Sequence, residues 1–186
     1  MRIVGGLYKG RKLKTCEGPG YRPATMKVRE SIFSMLMARG VSFDDVRVID
    51  MFAGSGSLGI ECLSRGAETA WFVEKNKKAA SLIRGNLKEL KVPARNAKVI
   101  TKDLFSLLSS QPEQPFDLVF IDPPYGKDLL VPALEKALAN GWIADDAFVL
   151  AEVESAVKAP DGGAVANMEL ITDREYGQTR ILLWRK

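Results

Sequence analysis

Asp122-Pro123-Pro124-Tyr125 follows directly on the apolar run Leu118-Val119-Phe120-Ile121. Successive prolines donate no backbone hydrogen bonds and hold the chain extended, so the backbone is stiff where the strand stops. The Asp122 carboxylate and the Pro123 carbonyl are neighbouring acceptors, Pro124 stiffens the link, and the Tyr125 ring is a flat face for stacking. A planar ring bearing an exocyclic amine would need that combination.

A second constellation lies upstream. Val48-Ile49-Asp50-Met51-Phe52-Ala53-Gly54-Ser55-Gly56-Ser57-Leu58-Gly59 reads as a strand, a tight turn and a helix start, and satisfies G-x-G-x-x-G. Glu74 lies twenty residues past Gly54, where a dinucleotide-binding fold places a ribose-binding acid. An NAD enzyme is therefore a competing reading. Asp50, inside the turn, opposes it: a carboxylate there repels a pyrophosphate and attracts a cationic or amine-bearing ligand. No downstream residue reads as a hydride-transfer acid or base. The same turn suits a nucleoside carrying a sulfonium and an amino acid. Asp50, Phe52, Ala53, Gly54 and Gly56 would form its cradle, Glu74 with Lys75 would face the ribose, and Lys102-Asp103-Leu104 would edge the adenine.

These residues need a sheet to hold them. Strands are expected at Val46–Met51, Thr69–Glu74, Lys98–Thr101, Phe116–Ile121 and Ala147–Val153. Helices are expected at Leu58–Arg65, Lys77–Leu90, Phe105–Ser109 and Leu129–Asn140. Such alternation means a mostly parallel sheet with helices on both faces. Glu169–Tyr176 and Thr179–Arg185 read as a closing antiparallel hairpin around Gly177-Gln178. Ahead of the alternation come a short hairpin (Arg2–Gly5 with Arg11–Lys14), a loop over 15–24, and a helix from about Met26 to Arg39 capped by Thr25. The predicted class is α/β, Rossmann-like. Residues 1–39 would form a basic extension and residues 40–186 one catalytic unit.

Composition narrows the chemistry. The 186 residues are 46% hydrophobic and 27% charged, as in ordinary globular domains. No apolar run is long enough to span a membrane, and the chain start lacks a signal-peptide pattern. There is no histidine, which removes Ser-His-Asp catalysis, histidine-bound metals and a histidine base. Cys16 and Cys62 stand in no metal spacing and read as small buried residues of a reducing cytoplasm. The formal charge of +4 is uneven: residues 1–39 hold nine Lys/Arg against Glu17 and Glu30, whereas the remainder is slightly acidic. A polyanionic partner for that segment is one reading; a solvated arm is the other.

The Asp-x-Phe-x-Gly-Ser-Gly turn together with Asp-Pro-Pro-Tyr resembles class I S-adenosylmethionine-dependent methyltransferases that act on an exocyclic or amide nitrogen. Arg2-Ile3-Val4-Gly5-Gly6, Gly10-Arg11-Lys12-Leu13, Arg22-Pro23-Ala24-Thr25 and Val28-Arg29-Glu30-Ser31-Ile32-Phe33 resemble the amino-terminal extension of one bacterial family. That family methylates N2 of a guanine in small-subunit ribosomal RNA. Gly54–Glu61 and the Tyr176-Gly177 hairpin match it as well. The likeness covers nearly the whole chain and departs at Ala24, Met26 and Lys27. It implies S-adenosylmethionine as cofactor and no metal. Asp122, Pro123, Pro124 and Tyr125 would be catalytic. Arg2, Lys9, Arg11, Lys12, Arg22, Lys27 and Arg29 would contact small-subunit ribosomal RNA or the assembling subunit. A cytoplasmic monomer is expected. DNA amine and protein glutamine methyltransferases share the catalytic motif, and a non-catalytic RNA-binding assembly protein is the non-enzyme alternative.

Overall fold

The computed structural model describes residues 1–15, 26–162, 165 and 167–186. In chain order the elements are α1 (Met26–Ala38), β1 (Arg47–Met51), α2 (Ser57–Ser64), β2 (Thr69–Val73), α3 (Lys77–Glu89), a 3-10 turn (Ala94–Asn96) and β3 (Ala97–Ile100). They continue with α4 (Leu104–Leu108), β4 (Phe116–Ile121), α5 (Leu130–Ala139), β5 (Ile143–Glu154), β6 (Glu169–Tyr176) and β7 (Thr179–Arg185). One seven-stranded sheet runs β3-β2-β1-β4-β5-β7-β6. β1 to β5 are parallel, and β7 is antiparallel to both β5 and β6. The chain winds outward from β1 to β3 and then returns to pair β4 with β1. The carboxyl ends of β1 and β4 thus flank the reversal of strand order, where open sheets hold ligands.

Alternate residues of each strand bury opposite faces. One core cluster joins Val48, Phe72, Leu118, Phe120, Leu150 and Leu183 to residues of α1, α2 and α3. The other joins Ile49, Met51, Val119, Ile121 and Val149 to residues of α4 and α5. Phe33 of α1 lies 5.6 Å from Phe43 and 6.3 Å from Phe120, ring centre to ring centre. Trp71, Phe116 and Trp142 form an aromatic group on the other face, with Phe116 and Trp142 stacked at 6.1 Å. Cys62 is fully buried, and burial drives its thiol pKa up, so it packs as a small apolar side chain.

Two elements differ from the sequence pattern. β5 starts at Ile143, four residues ahead of the apolar run, and its register to β4 shifts between Phe116 and Leu118. The added turns of backbone carry exposed Asp145 and Asp146, the latter at φ 63°, so apolar alternation underestimates the strand. The amino-terminal hairpin is shorter than expected: Arg2 bridges Lys12, with Ile3 N–H donating to the Arg11 carbonyl at 3.0 Å, Gly10 N–H to the Ile3 carbonyl at 2.8 Å and Leu13 N–H to the Met1 carbonyl at 2.9 Å. Beyond Ile3 the backbone bonds to side chains of α2. The buried Glu61 carboxylate accepts from the Val4 N–H at 2.8 Å and the Gly5 N–H at 2.7 Å, and also from Arg65. The Ser64 carbonyl accepts the Leu7 N–H at 2.6 Å. Gly6 sits at φ +73°, and a Cβ there would lie 1.7 Å from that carbonyl, so only glycine fits.

Arg29 is corrected from the sequence reading. It is 0% exposed, donates from Nη2 to the Arg2 carbonyl at 2.8 Å, and sits in the field of Glu61. It holds the amino-terminal segment against α1 and cannot reach RNA. The expected Thr25 cap, Cys16, Arg22 and Ala24 lie outside the described residues.

Glu61→Ala is expected to lower stability by about 3 kcal/mol or more, because it leaves two backbone donors and the Arg65 guanidinium without their buried acceptor. Urea unfolding measures this. A loss below about 1 kcal/mol would mean that burial of Ile3 and Leu13 alone holds the segment.

Candidate active site

The glycine turn closes β1 with short backbone bonds: Gly56 N–H to the Ala53 carbonyl at 2.7 Å and Ala53 N–H to the Val73 carbonyl at 3.0 Å. Phe52 takes φ 66°, an unusual value for a non-glycine residue that marks stored strain at the turn. Gly56 is left-handed at φ +75°, and a Cβ on Gly59 would come within 2.5 Å of the Phe72 ring. The third glycine therefore serves helix-to-strand packing.

Asp50 is buried, and its Oδ2 accepts the Gly59 N–H at 3.2 Å. Glu74 is buried as well; its Oε2 accepts from Gly54 N–H at 2.9 Å and its Oε1 from Asn76 N–H at 2.7 Å. The acid expected to face a ribose also ties the glycine turn to the end of β2. Asp103 caps α4 through Ser106 N–H at 3.0 Å, with Leu104 buried behind it and Lys102 and Lys75 exposed. All of these lie at the carboxyl edge of the sheet.

Asp122 follows β4, and its N–H points to the Met51 carbonyl at 3.4 Å. The rest of the motif is braced from the sheet's far side. The Tyr125 hydroxyl meets Thr179 Oγ1 at 3.0 Å, and the Gly126 N–H donates to Glu154. Thr179 and Glu154 are register partners on β7 and β5. The ring is therefore fixed at its hydroxyl end while the loop stays partly exposed.

One residue was missed. Ile121 of β4 pairs with Ala151 of β5, so Asp122 and Glu152 are the next lateral neighbours on the same face. Glu152 is 5% exposed, and among the described residues its Oε2 has no hydrogen-bond partner. An acid inside the run Leu150-Ala151-Glu152-Val153, one strand from Asp122, was the available signal. With Asp50 it completes a desolvated group of carboxyls. Burial pushes Asp50 up to about 7, opposed by the Gly59 N–H and aided by Glu74. Burial lifts Glu152 to about 7. Asp122 is driven well above the usual carboxylate range by burial first, then by Glu152 and Asp50. Such a set favours a cationic ligand and amine donors, so the donor chemistry fits a sulfonium nucleoside.

The expected RNA contacts lie elsewhere. The turn bearing Leu7 and Lys9 docks at the carboxyl end of α2, about 12 Å of helix away from the glycine turn. Arg11 and Lys14 bind Glu89 at the end of α3. Arg2 donates to the Gly10 carbonyl, and Lys9, Lys12 and Lys27 are exposed. The basic hairpin thus flanks the helical layer and is not part of the crevice.

The family model described as Conserved hypothetical protein 95 matches residues 1–185. The chain belongs to that family. It is 38% identical over 186 residues to ribosomal RNA small subunit methyltransferase D of Escherichia coli K12, covering 100% of this chain and 90% of the relative. It is 36% identical to the solved Escherichia coli protein yhhF, described as a candidate methyltransferase, with a TM-score of 0.85 and coverage of 100% and 97%. The Haemophilus influenzae structure HI0767, described as a candidate methylase, gives 32% identity, a TM-score of 0.83 and coverage of 99% and 97%. The fold is that of class I methyltransferases. Among the described residues no helix is long and apolar enough to cross a membrane.

Raised acid pKa values carry a sign. Between the unfolded value near 4 and the folded value near 7, the native state binds more protons than the unfolded state, so stability falls as pH rises through that window. Stability should drop by about 1 kcal/mol or more from pH 5 to 7.5 in ligand-free protein. Asp50→Asn should flatten the slope in urea melts across pH. A slope unchanged by that substitution would refute the desolvated carboxyl.

Proposed function

We propose that this chain is an S-adenosylmethionine-dependent methyltransferase of ribosomal RNA, and that its acceptor is the exocyclic N2 of a guanine in the small subunit. The observation that carries this reading is the rigid Asp122–Pro123 acceptor pair held beside the glycine turn, in a chain related over its full length to a small-subunit ribosomal RNA methyltransferase. Residues 1–39 would serve RNA recognition and residues 40–186 catalysis, in a cytoplasmic monomer acting on the RNA or the assembling subunit.

Asp50, Phe52, Ala53, Gly54, Gly56, Glu74 and Lys75 would hold the cofactor, with Lys102, Asp103 and Leu104 at its adenine. When bound, S-adenosylmethionine supplies a methyl group on an electron-poor sulfonium. The protein's work is alignment. Asp122 and the Pro123 carbonyl accept the two N–H groups of the acceptor amine, which turns the nitrogen lone pair away from the ring. Pro124 keeps that pair in place, and Tyr125 supports the ring by stacking, worth about 1–3 kcal/mol. Holding the reacting atoms in line contributes most of the acceleration. The proton lost from the methylated nitrogen passes to Asp122 or to water, and the raised pKa of Asp122 suits it to accept that proton. The target base must be unpaired or flipped out to enter.

Asp122→Ala should lower methyl transfer to ribosomal RNA by about 100-fold or more while leaving S-adenosylhomocysteine binding nearly unchanged. Radiolabelled transfer into naked ribosomal RNA, isolated small subunits, DNA and protein, followed by nucleoside analysis, tests the assignment. Label in any product other than N2-methylguanosine would refute the guanine reading. Separately, replacing Lys9, Lys12 and Lys27 with glutamine should weaken RNA binding and reduce the salt slope by about 2 to 3. An unchanged slope would make these lysines a solvated face.

A further inference from the structure

Glu152 has no role in the scheme above, although its position requires one. It is on β5, one strand from Asp122, and on the same face of the sheet. It is 5% exposed, and among the described residues its Oε2 has no hydrogen-bond donor. Around it lie Asp122 on the β4 side and Ile181 as its register partner on β7, with Arg180 and Thr179 next along that strand. Arg180 is turned away, its guanidinium taken by Asp173 and the Val157 carbonyl. Tyr125 is held by Thr179. No cation faces Glu152 from these neighbours. A buried carboxylate without a donor is destabilising, so one kept beside Asp122 is an acceptor ready for a ligand.

We propose that Glu152 is a specificity-determining residue of the acceptor pocket, taking the ring N1–H of guanine while Asp122 takes an exocyclic N–H. This rests on the guanine reading of the preceding section. The chemistry favours guanine among the bases. Its Watson–Crick edge presents two neighbouring donors, the ring N1–H and the exocyclic amine. Adenine presents an acceptor nitrogen beside its amine, and that lone pair would lie against a carboxylate oxygen. Two carboxyls carried on adjacent strands offer acceptors to a donor–donor edge and, when ionised, reject an acceptor–donor one. Rejection of this kind is strong because the wrong base leaves a buried polar group unpaired.

Two substitutions separate acceptance from charge or packing. Glu152→Gln removes the charge and keeps an acceptor oxygen. Glu152→Leu removes both and keeps the volume. The measurements are radiolabelled transfer into unmethylated small ribosomal subunits and their naked RNA, nucleoside analysis of the product, S-adenosylhomocysteine affinity by calorimetry, and the melting temperature. The expected pattern is N2-methylguanosine formation within about tenfold of wild type for Glu152→Gln and lower by about 100-fold or more for Glu152→Leu. Affinity for S-adenosylhomocysteine should stay within about twofold in both, and the melting temperature of Glu152→Leu should be equal or higher, since an unpartnered buried carboxyl is gone. Equal loss in the two variants, or Glu152→Leu activity within twofold of wild type, would overturn the proposal. Wild-type protein that forms no N2-methylguanosine would overturn the guanine reading itself, which the wild-type arm reports independently of the variants.

Discussion

Parity along parallel strands is the constraint on which this site depends. Side chains two residues apart on a strand share a face, and in-register neighbours on adjacent strands share it too. Phe72, Asp50, Phe120, Leu150 and Leu183 form one such row across β2, β1, β4, β5 and β7. Toward the carboxyl edge the same face carries Glu152, which pairs with Ile181 of β7 and has Asp122 as its lateral neighbour past the end of β4. A one-residue slip of β5 would send Glu152 into the α4–α5 face and bring Ala151 beside Asp122. The acids meet because the apolar rows beneath them admit only one register.

That arrangement works against stability. Carboxyls withdrawn from water and set close together resist ionisation, and Asp122, Asp50 and Glu152 raise one another or are raised by burial. The surrounding structure over-determines their positions. Gly59 N–H holds Asp50, Gly54 and Asn76 hold Glu74, and Thr179 and Glu154 brace the loop after Asp122. The positive φ of Phe52 adds local strain at the same edge of the sheet.

The amino-terminal segment follows a different logic. Its glycines serve contact with α2, where Glu61 and Ser64 take backbone groups that a longer hairpin would have paired internally. Ile3 and Leu13 enter the same core as α1 to α3. The segment that reads as a separate basic extension is thus built onto the sheet's helical layer. Its exposed lysines face outward on that layer.

The sequence alone determined the strand and helix alternation, the closing hairpin, the glycine turn and the stiff Asp-Pro-Pro-Tyr corner, because each is written in local periodicity or in residues with restricted backbones. It also determined that Asp50, Glu74, Asp103 and Asp122 end successive strands at one edge. Only the tertiary structure decided which charges are buried. Arg29 sits in a helix pattern next to Lys27 and reads as one more basic residue, yet the Arg2 carbonyl and Glu61 claim it. Glu152 sits in an apolar run as a single polar letter, and its meaning depends on Asp122 thirty residues earlier being laid beside it by β4–β5 pairing. Local sequence carries conformational preference over a few residues; desolvation and like-charge proximity depend on which distant strands become neighbours.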